Sequence, residues 1–198
     1  LLPLKKDIRT LAVIGPNADN VYNMLGDYTA PQADGTVVTV LDGIRQKVSK
    51  ETRVLYAKGC TVRDSSRTGF KDAIETARNA DAVVMVMGGS SARDFSSEYE
   101  ETGAAKVTIN QISDMESGEG YDRATLHLMG RQLELLEEIS RLGKPVVLVL
   151  IKGRPLLMEG AIQEAEAIVD AWYPGMQGGN AVADVLFGDC LLYTSPSP

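Results

Sequence analysis

Residues 145–153 read PVVLVLIKG, and the fold turns on how that stretch is understood. From Val146 to Ile151 every side chain is apolar, so the segment has no wet face. It is too short for an ordinary buried helix, rich in β-branched residues and framed by proline and glycine. Those features describe a strand covered on both faces, which is the situation of an inner strand in a parallel sheet. Four other runs share the pattern and end in or just before glycine: TLAVIG from Thr10, RVLYAKG from Arg53, DAVVMVMGG from Asp81 and EAIVDAWYPG from Glu166. Five strands are expected.

Helical spacing fills the gaps between them. Val40, Leu41, Ile44 and Val48 fall on one face of a helix, as do Phe70, Ile74 and Ala77. Leu133, Leu136 and Ile139 lead to Leu142, with Gly143 placed to end the helix, and two further helices are expected over Leu156–Glu166 and Gly178–Phe187. Strand and helix in alternation give an α/β protein, a three-layer α/β/α sandwich with a mostly parallel sheet of about five strands and right-handed crossovers.

The bulk numbers agree with a globular chain. The 198 residues are 44% hydrophobic, enough for one sizeable core. A net charge of −7 with no block of Lys or Arg argues against a nucleic-acid surface. No apolar run approaches the roughly 20 residues that span a bilayer, and the opening LLPLKKDIRT is not built like a secretory signal. The first residue is not Met, which fits a piece of a longer protein. Cys60 and Cys190 form neither a disulfide framework nor a Cys/His cluster for zinc.

In an open parallel sheet, ligands bind beyond the carboxyl ends of the strands. Four of the connections there read as short. The fifth, from Gly88 to Gly130, is far longer than usual, has little periodicity and carries Asp94, Glu98, Glu100, Glu101, Asp114, Glu116, Glu119 and Asp122. Several familiar sites do not fit this edge. GPNADN at Gly15 lacks the further glycines of a dinucleotide loop, and GGSSA at Gly88 has alanine where a nucleophile elbow has its second glycine. The single histidine, His127, sits in ATLHLMG and reads as the lead into a packed helix rather than as a catalytic base. DMESGEG does not place its glycine and final glutamate as a calcium-binding EF-hand loop does. Two readings of ESGEGYDR, residues 116–123, then stay open. Crowded carboxyl groups suit general acid catalysis, with Gly118 and Gly120 shaping a tight turn that projects Glu119, and a solvated acidic loop with no chemistry fits the spacing too.

The order of motifs breaks the tie. SGEGYDRATLHLMGRQLELLEEI, then GKPVVLVLIKGRPL, then AIVDAWYPGMQGGNAVADVLFGD resembles the C-terminal α/β-sandwich domain of glycoside hydrolase family 3, the β-glucosidase family, and LPLKKDIRTLAVIGPNAD resembles the linker and first strand of that domain. The likeness covers residues 1–189. At residue 190 the sequence turns to CLLYTSPSP where the family pattern would continue, and residues 190–198 read as a non-native tail.

The resemblance implies a retaining mechanism with two carboxyl groups, a nucleophilic aspartate on a preceding (β/α)8 barrel and an acid/base glutamate from the sandwich domain. The matching glutamate is Glu119, with Glu116 as its rival, and Asp122 and Arg123 are expected to support the loop by an ion pair. It further implies a partner barrel in the same protein, a β-glucoside or related oligosaccharide with the sugar not readable, no metal or organic cofactor, and a secreted or periplasmic setting. Without the barrel this chain is expected to be inactive by itself. GRP at Gly153 and WYPGMQGG at Trp172 read as shaping the sheet edge. The alternatives are a non-catalytic carbohydrate-binding or interdomain module, and a parent enzyme that is a β-xylosidase.

Overall fold

The computed structural model describes residues 1–92, 101–102 and 114–190. Strands β1 (Thr10–Ile14), β2 (Arg53–Ala57), β3 (Ala82–Gly88), β4 (Val146–Ile151) and β5 (Ala167–Trp172) form one parallel sheet in the order β2-β1-β3-β4-β5. Helices α1 (Val40–Lys47), α2 (Phe70–Arg78), α3 (Gln132–Ser140), α4 (Ala161–Glu164) and α5 (Gly178–Leu186) connect and cover them.

Two separate apolar clusters, one on each face, explain the runs that lack alternation. Leu11, Val13, Val84, Val86, Val147, Val149 and Ile151 point to the side of α1 and α5. Ala12, Ile14, Val83, Met85, Met87, Leu148 and Leu150 point to the side of α2 and α3. β3 and β4 are buried along their full length, whereas the edge strand β5 alternates between half-buried and exposed residues. Each fully buried aliphatic side chain contributes about 1.5–3 kcal/mol, so these central strands carry much of the driving force.

Two expectations need correction. The helix expected over Leu156–Glu166 shrinks to Ala161–Glu164. At the start of the expected span the Leu157 N–H is bonded to the Leu126 carbonyl at 2.8 Å, and at its end Ala165 is extended and the Glu166 N–H goes to the Val146 carbonyl at 3.0 Å, a sheet bond that a continuing helix would forbid. The connection after β1 is also not short: it runs from Gly15 to Thr39 with only one 3₁₀ turn, Tyr22–Met24. Thr39 then caps α1, its side chain accepting the Asp42 N–H at 3.2 Å.

The strand order places a switch point between β1 and β3, where chains leave the sheet toward opposite sides and open a crevice. The long connections after β1 and β3 both rise from that crevice. Gly88 ends β3 at φ 133°, and a Cβ there would lie 2.0 Å from the Ile151 carbonyl oxygen, so glycine is required for the chain to turn out beside β4.

Candidate active site at the carboxyl edge of the sheet

A buried polar chain ties the crevice together. Asn17, fully buried after β1, donates from Nδ2 to the carbonyls of Gly89 (3.0 Å) and Ile151 (3.2 Å). Asn23 Nδ2 donates to Asn17 Oδ1 at 2.7 Å, and Ser90 Oγ donates to Asn23 Oδ1 at 2.6 Å. The Ser90 carbonyl accepts the N–H groups of Glu116 (2.8 Å) and Ser117 (3.3 Å). On the other side Gln132 holds Gly88 by both backbone groups, at 2.9 and 2.8 Å. The ends of three inner strands are thereby fixed to the root of the acidic loop.

That root is dry. Glu116 and Arg123 form an ion pair at 2.6 Å with side chains 0% and 3% exposed. Arg123 donates Nε to the Thr125 carbonyl at 2.7 Å and Nη2 to that of His127. Glu116 Oε1 also receives the Ser117 hydroxyl at 3.3 Å. Such a pair withstands burial because its remaining donors are bonded as well. The side-chain partner of Arg123 is thus Glu116, where the sequence suggested Asp122. Asp122 is exposed, accepts the Arg123 backbone N–H at 2.7 Å, and stands 3.9 Å from Arg154 Nη1.

Between the two members of the pair the chain makes a hairpin closed by a bridge between Gly118 and Tyr121. Gly118 adopts φ 116°, which an L side chain rarely takes, and Gly120 φ 80°. The turn carries Glu119 into solvent, the opposite environment to Glu116 three residues away. Glu119 Oε2 accepts the Tyr28 hydroxyl at 2.8 Å, and its N–H faces Asp27 Oδ2 at 3.4 Å.

The returning loop is anchored again at Asp114, whose Oδ1 accepts the N–H groups of Val62 (3.0 Å) and Arg63 (3.3 Å), while Arg63 Nη1 donates to the Met115 carbonyl at 2.8 Å. Burial, with the Asp114 charge adding to it, pushes the Cys60 thiol up to about 12. Both cysteines are free, Cys60 buried and Cys190 exposed. His127 is exposed on the loop before α3, contributing its carbonyl to Arg123 rather than packing into a helix. At the far edge, buried Lys152 lies 3.9 Å above the Trp172 ring and pairs with Asp170 at 2.9 Å. Asp94, Glu98 and Glu100 lie outside the described residues, as do residues 191–198. Among the described residues no group of three or more His, Cys, Asp or Glu is arranged to hold a metal ion, and no helix is long and apolar enough to cross a membrane.

Sequence reasoning missed Asn17, Asn23, Ser90, Gln132, Asp27 and Tyr28. Two signals are available, Asn17 in GPNADN and Ser90 in GGSSA, polar residues just after apolar strands in stretches that fit neither a phosphate loop nor a nucleophile elbow.

An open parallel sheet that raises an exposed carboxylate on a pinned hairpin defines a domain of the α/β type with an acidic edge. Comparison gives its family. The glycosyl hydrolase family 3 C-terminal domain matches residues 1–196, and the chain belongs to that family. It is 41% identical over 196 residues to a β-xylosidase of Formosa agariphila, covering 96% of this chain and 24% of that protein. It is 34% identical to a periplasmic β-glucosidase of Salmonella typhimurium, covering 95% and 24%. The structure of a family 3 exo-β-xylosidase bound to a xylobiose aziridine probe superimposes with a TM-score of 0.75 at 29% identity, over 95% of this chain and 21% of that one. The chain therefore spans about a quarter of the length of the relatives it matches.

Proposed function

We propose that this domain supplies the general acid/base of a retaining, exo-acting β-glycosidase, with Glu119 as the acid/base, and that it works against a (β/α)8 barrel in the same protein that carries a nucleophilic aspartate. The observation that carries the reading is the contrast between two neighbouring carboxylates. Glu116 is sealed at 0% exposure against Arg123, so it has no path to a glycosidic oxygen, whereas Glu119 stands exposed on the hairpin tip.

In the first half-reaction Glu119 gives its proton to the departing glycosidic oxygen while the aspartate attacks the anomeric carbon. In the second, the Glu119 carboxylate takes a proton from water as that water displaces the aspartate. A retaining pair stands roughly 5–5.5 Å apart, so the tip must be held in register with the barrel. Asp122 and Arg123 support the loop in this reading, Arg123 through Glu116 and Asp122 through the backbone and Arg154. The chemistry draws on no metal or organic cofactor. The sugar cleaved is a terminal non-reducing β-D-glycosyl residue of an oligosaccharide. Glucosidases and xylosidases both occur among the relatives, so a β-glucoside is the substrate proposed and a β-xyloside its alternative.

The test is made in the protein that joins this domain to its barrel. Glu119→Ala should lower kcat/KM on an unactivated glycoside by about 10²–10⁴-fold, and with a dinitrophenyl glycoside, whose departure needs no proton, azide should raise turnover by capturing the glycosyl-enzyme as a glycosyl azide. Full activity of the variant sinks the assignment. Measurable sugar binding by the present chain alone would favour the binding-module alternative.

A further inference from the structure

We infer that Tyr28 is a positioning residue for the acid/base carboxylate, fixing which oxygen of Glu119 carries the catalytic proton. The inference rests on the acid/base reading of Glu119. Tyr28 adopts φ 57° and leaves 81% of its surface exposed. A left-handed conformation is unfavourable for a bulky residue, and at that exposure burial of the ring returns little to offset it. What the conformation does achieve is geometric. It turns the phenol toward the hairpin, so that the hydroxyl meets Glu119 Oε2 at 2.8 Å.

The neighbouring residue completes the grip. Asp27 Oδ1 accepts the Tyr28 N–H at 2.8 Å, and Asp27 Oδ2 faces the Glu119 N–H at 3.4 Å. A Cβ on Gly118 would lie 2.8 Å from that same oxygen, so the turn is built to let Asp27 in. One dipeptide from the β1 connection therefore touches both the backbone and the carboxylate of Glu119.

The chemical consequence follows from donor and acceptor counting. A phenol hydroxyl donating to Oε2 takes one of its two lone pairs and makes that oxygen the less basic of the pair, so the proton of the acid form favours Oε1. During glycosylation the Oε1–H bond breaks and the proton passes to the leaving oxygen, while Tyr28 keeps its own proton and its bond to Oε2. During deglycosylation Oε1 takes the proton of water. Tyr28 thus never changes protonation, and its contribution is aim.

Aim matters only when the leaving group needs a proton, and that separates positioning from general support. In the barrel-joined enzyme, Tyr28→Phe should lose about tenfold in kcat/KM on a disaccharide or alkyl glycoside, yet less than twofold on a dinitrophenyl glycoside. Tyr28→Gly, which removes the phenol and the backbone strain together, should show the same split with an unchanged or higher Tm. Equal losses on both substrates, a loss confined to KM, or no loss at all would overturn the proposal, provided Glu119→Ala shows azide rescue in the same preparation. A fully active Glu119→Ala would refute the acid/base reading itself and remove this inference with it.

Discussion

Replacing Glu116 with alanine strips a buried guanidinium of its counter-charge, and the cost can be worked from the geometry. Arg123 is 3% exposed and its Nη1 lies 2.6 Å from Glu116 Oε2. Two unit charges about 4 Å apart attract by about 4 kcal/mol at an effective dielectric of 20, and removing one partner of a buried pair costs about 3–5 kcal/mol because the other charge is left in a dry site. That is a large part of the 5–15 kcal/mol by which a domain is typically stable. The double replacement Glu116→Leu, Arg123→Met leaves no lone charge. It frees the carbonyls of Thr125 and His127, which are exposed residues that water can reach, and the buried Ser117 hydroxyl, so it should cost about 1–3 kcal/mol. Urea unfolding of the wild type, both single variants and the double variant, with m held common, should then give a coupling of at least about 2 kcal/mol. Single-variant costs below about 1 kcal/mol, or costs that simply add, would refute the claim that this pair anchors the hairpin.

The same root can be disturbed from the sheet side: a Cβ on Gly89 would lie 2.0 Å from Glu116 Oε1, so Gly89→Ala should destabilise by about 1–3 kcal/mol, and a urea midpoint unchanged from wild type would contradict the packing. Cys60 predicts an alkaline slope. Its folded thiol holds the proton to about 12, whereas the ordinary value is 9.0, so the unfolded chain binds fewer protons over that window and stability should fall as pH rises from about 9. Cys60→Ala should flatten that fall in urea midpoints measured between pH 7 and 10.5, and parallel slopes for the two proteins would count against it.

Much of the fold could be read from the chain because its inner strands have no wet face. The runs at Thr10, Arg53, Asp81, Pro145 and Glu166 coincide with β1 to β5, and the helices at Val40, Phe70, Leu133 and Gly178 lie where the spacing put them. The failure at Leu156–Glu166 lies in the tertiary structure, since apolar content alone cannot register that Glu166 would spend its N–H on the Val146 carbonyl of β4. The partner of Arg123 was hidden for a related reason. Asp122 is adjacent in sequence, but a buried guanidinium pairs with whichever carboxylate the hairpin folds back upon, and only the Gly118–Tyr121 bridge reveals that this is Glu116. Tyr28 and Asp27 were invisible because they come from a distant connection whose length was itself misjudged.

The octapeptide ESGEGYDR thus divides one kind of side chain between two kinds of work. Spacing alone treats Glu116 and Glu119 alike, but the turn between them buries the first and exposes the second, so no single environment has to serve both. An acid/base group must reach out of its own domain and still be aimed closely, since a misplacement of about 1 Å costs on the order of a hundredfold in rate. Reach calls for an exposed tip, and aim calls for a root that does not move. The buried pair at positions 116 and 123, tied through Ser90 to Asn23 and Asn17 on the β1 connection, provides that root. In the proposed enzyme, a change at Asn17 should therefore weaken catalysis through the placement of Glu119, although Asn17 is fully buried beneath it.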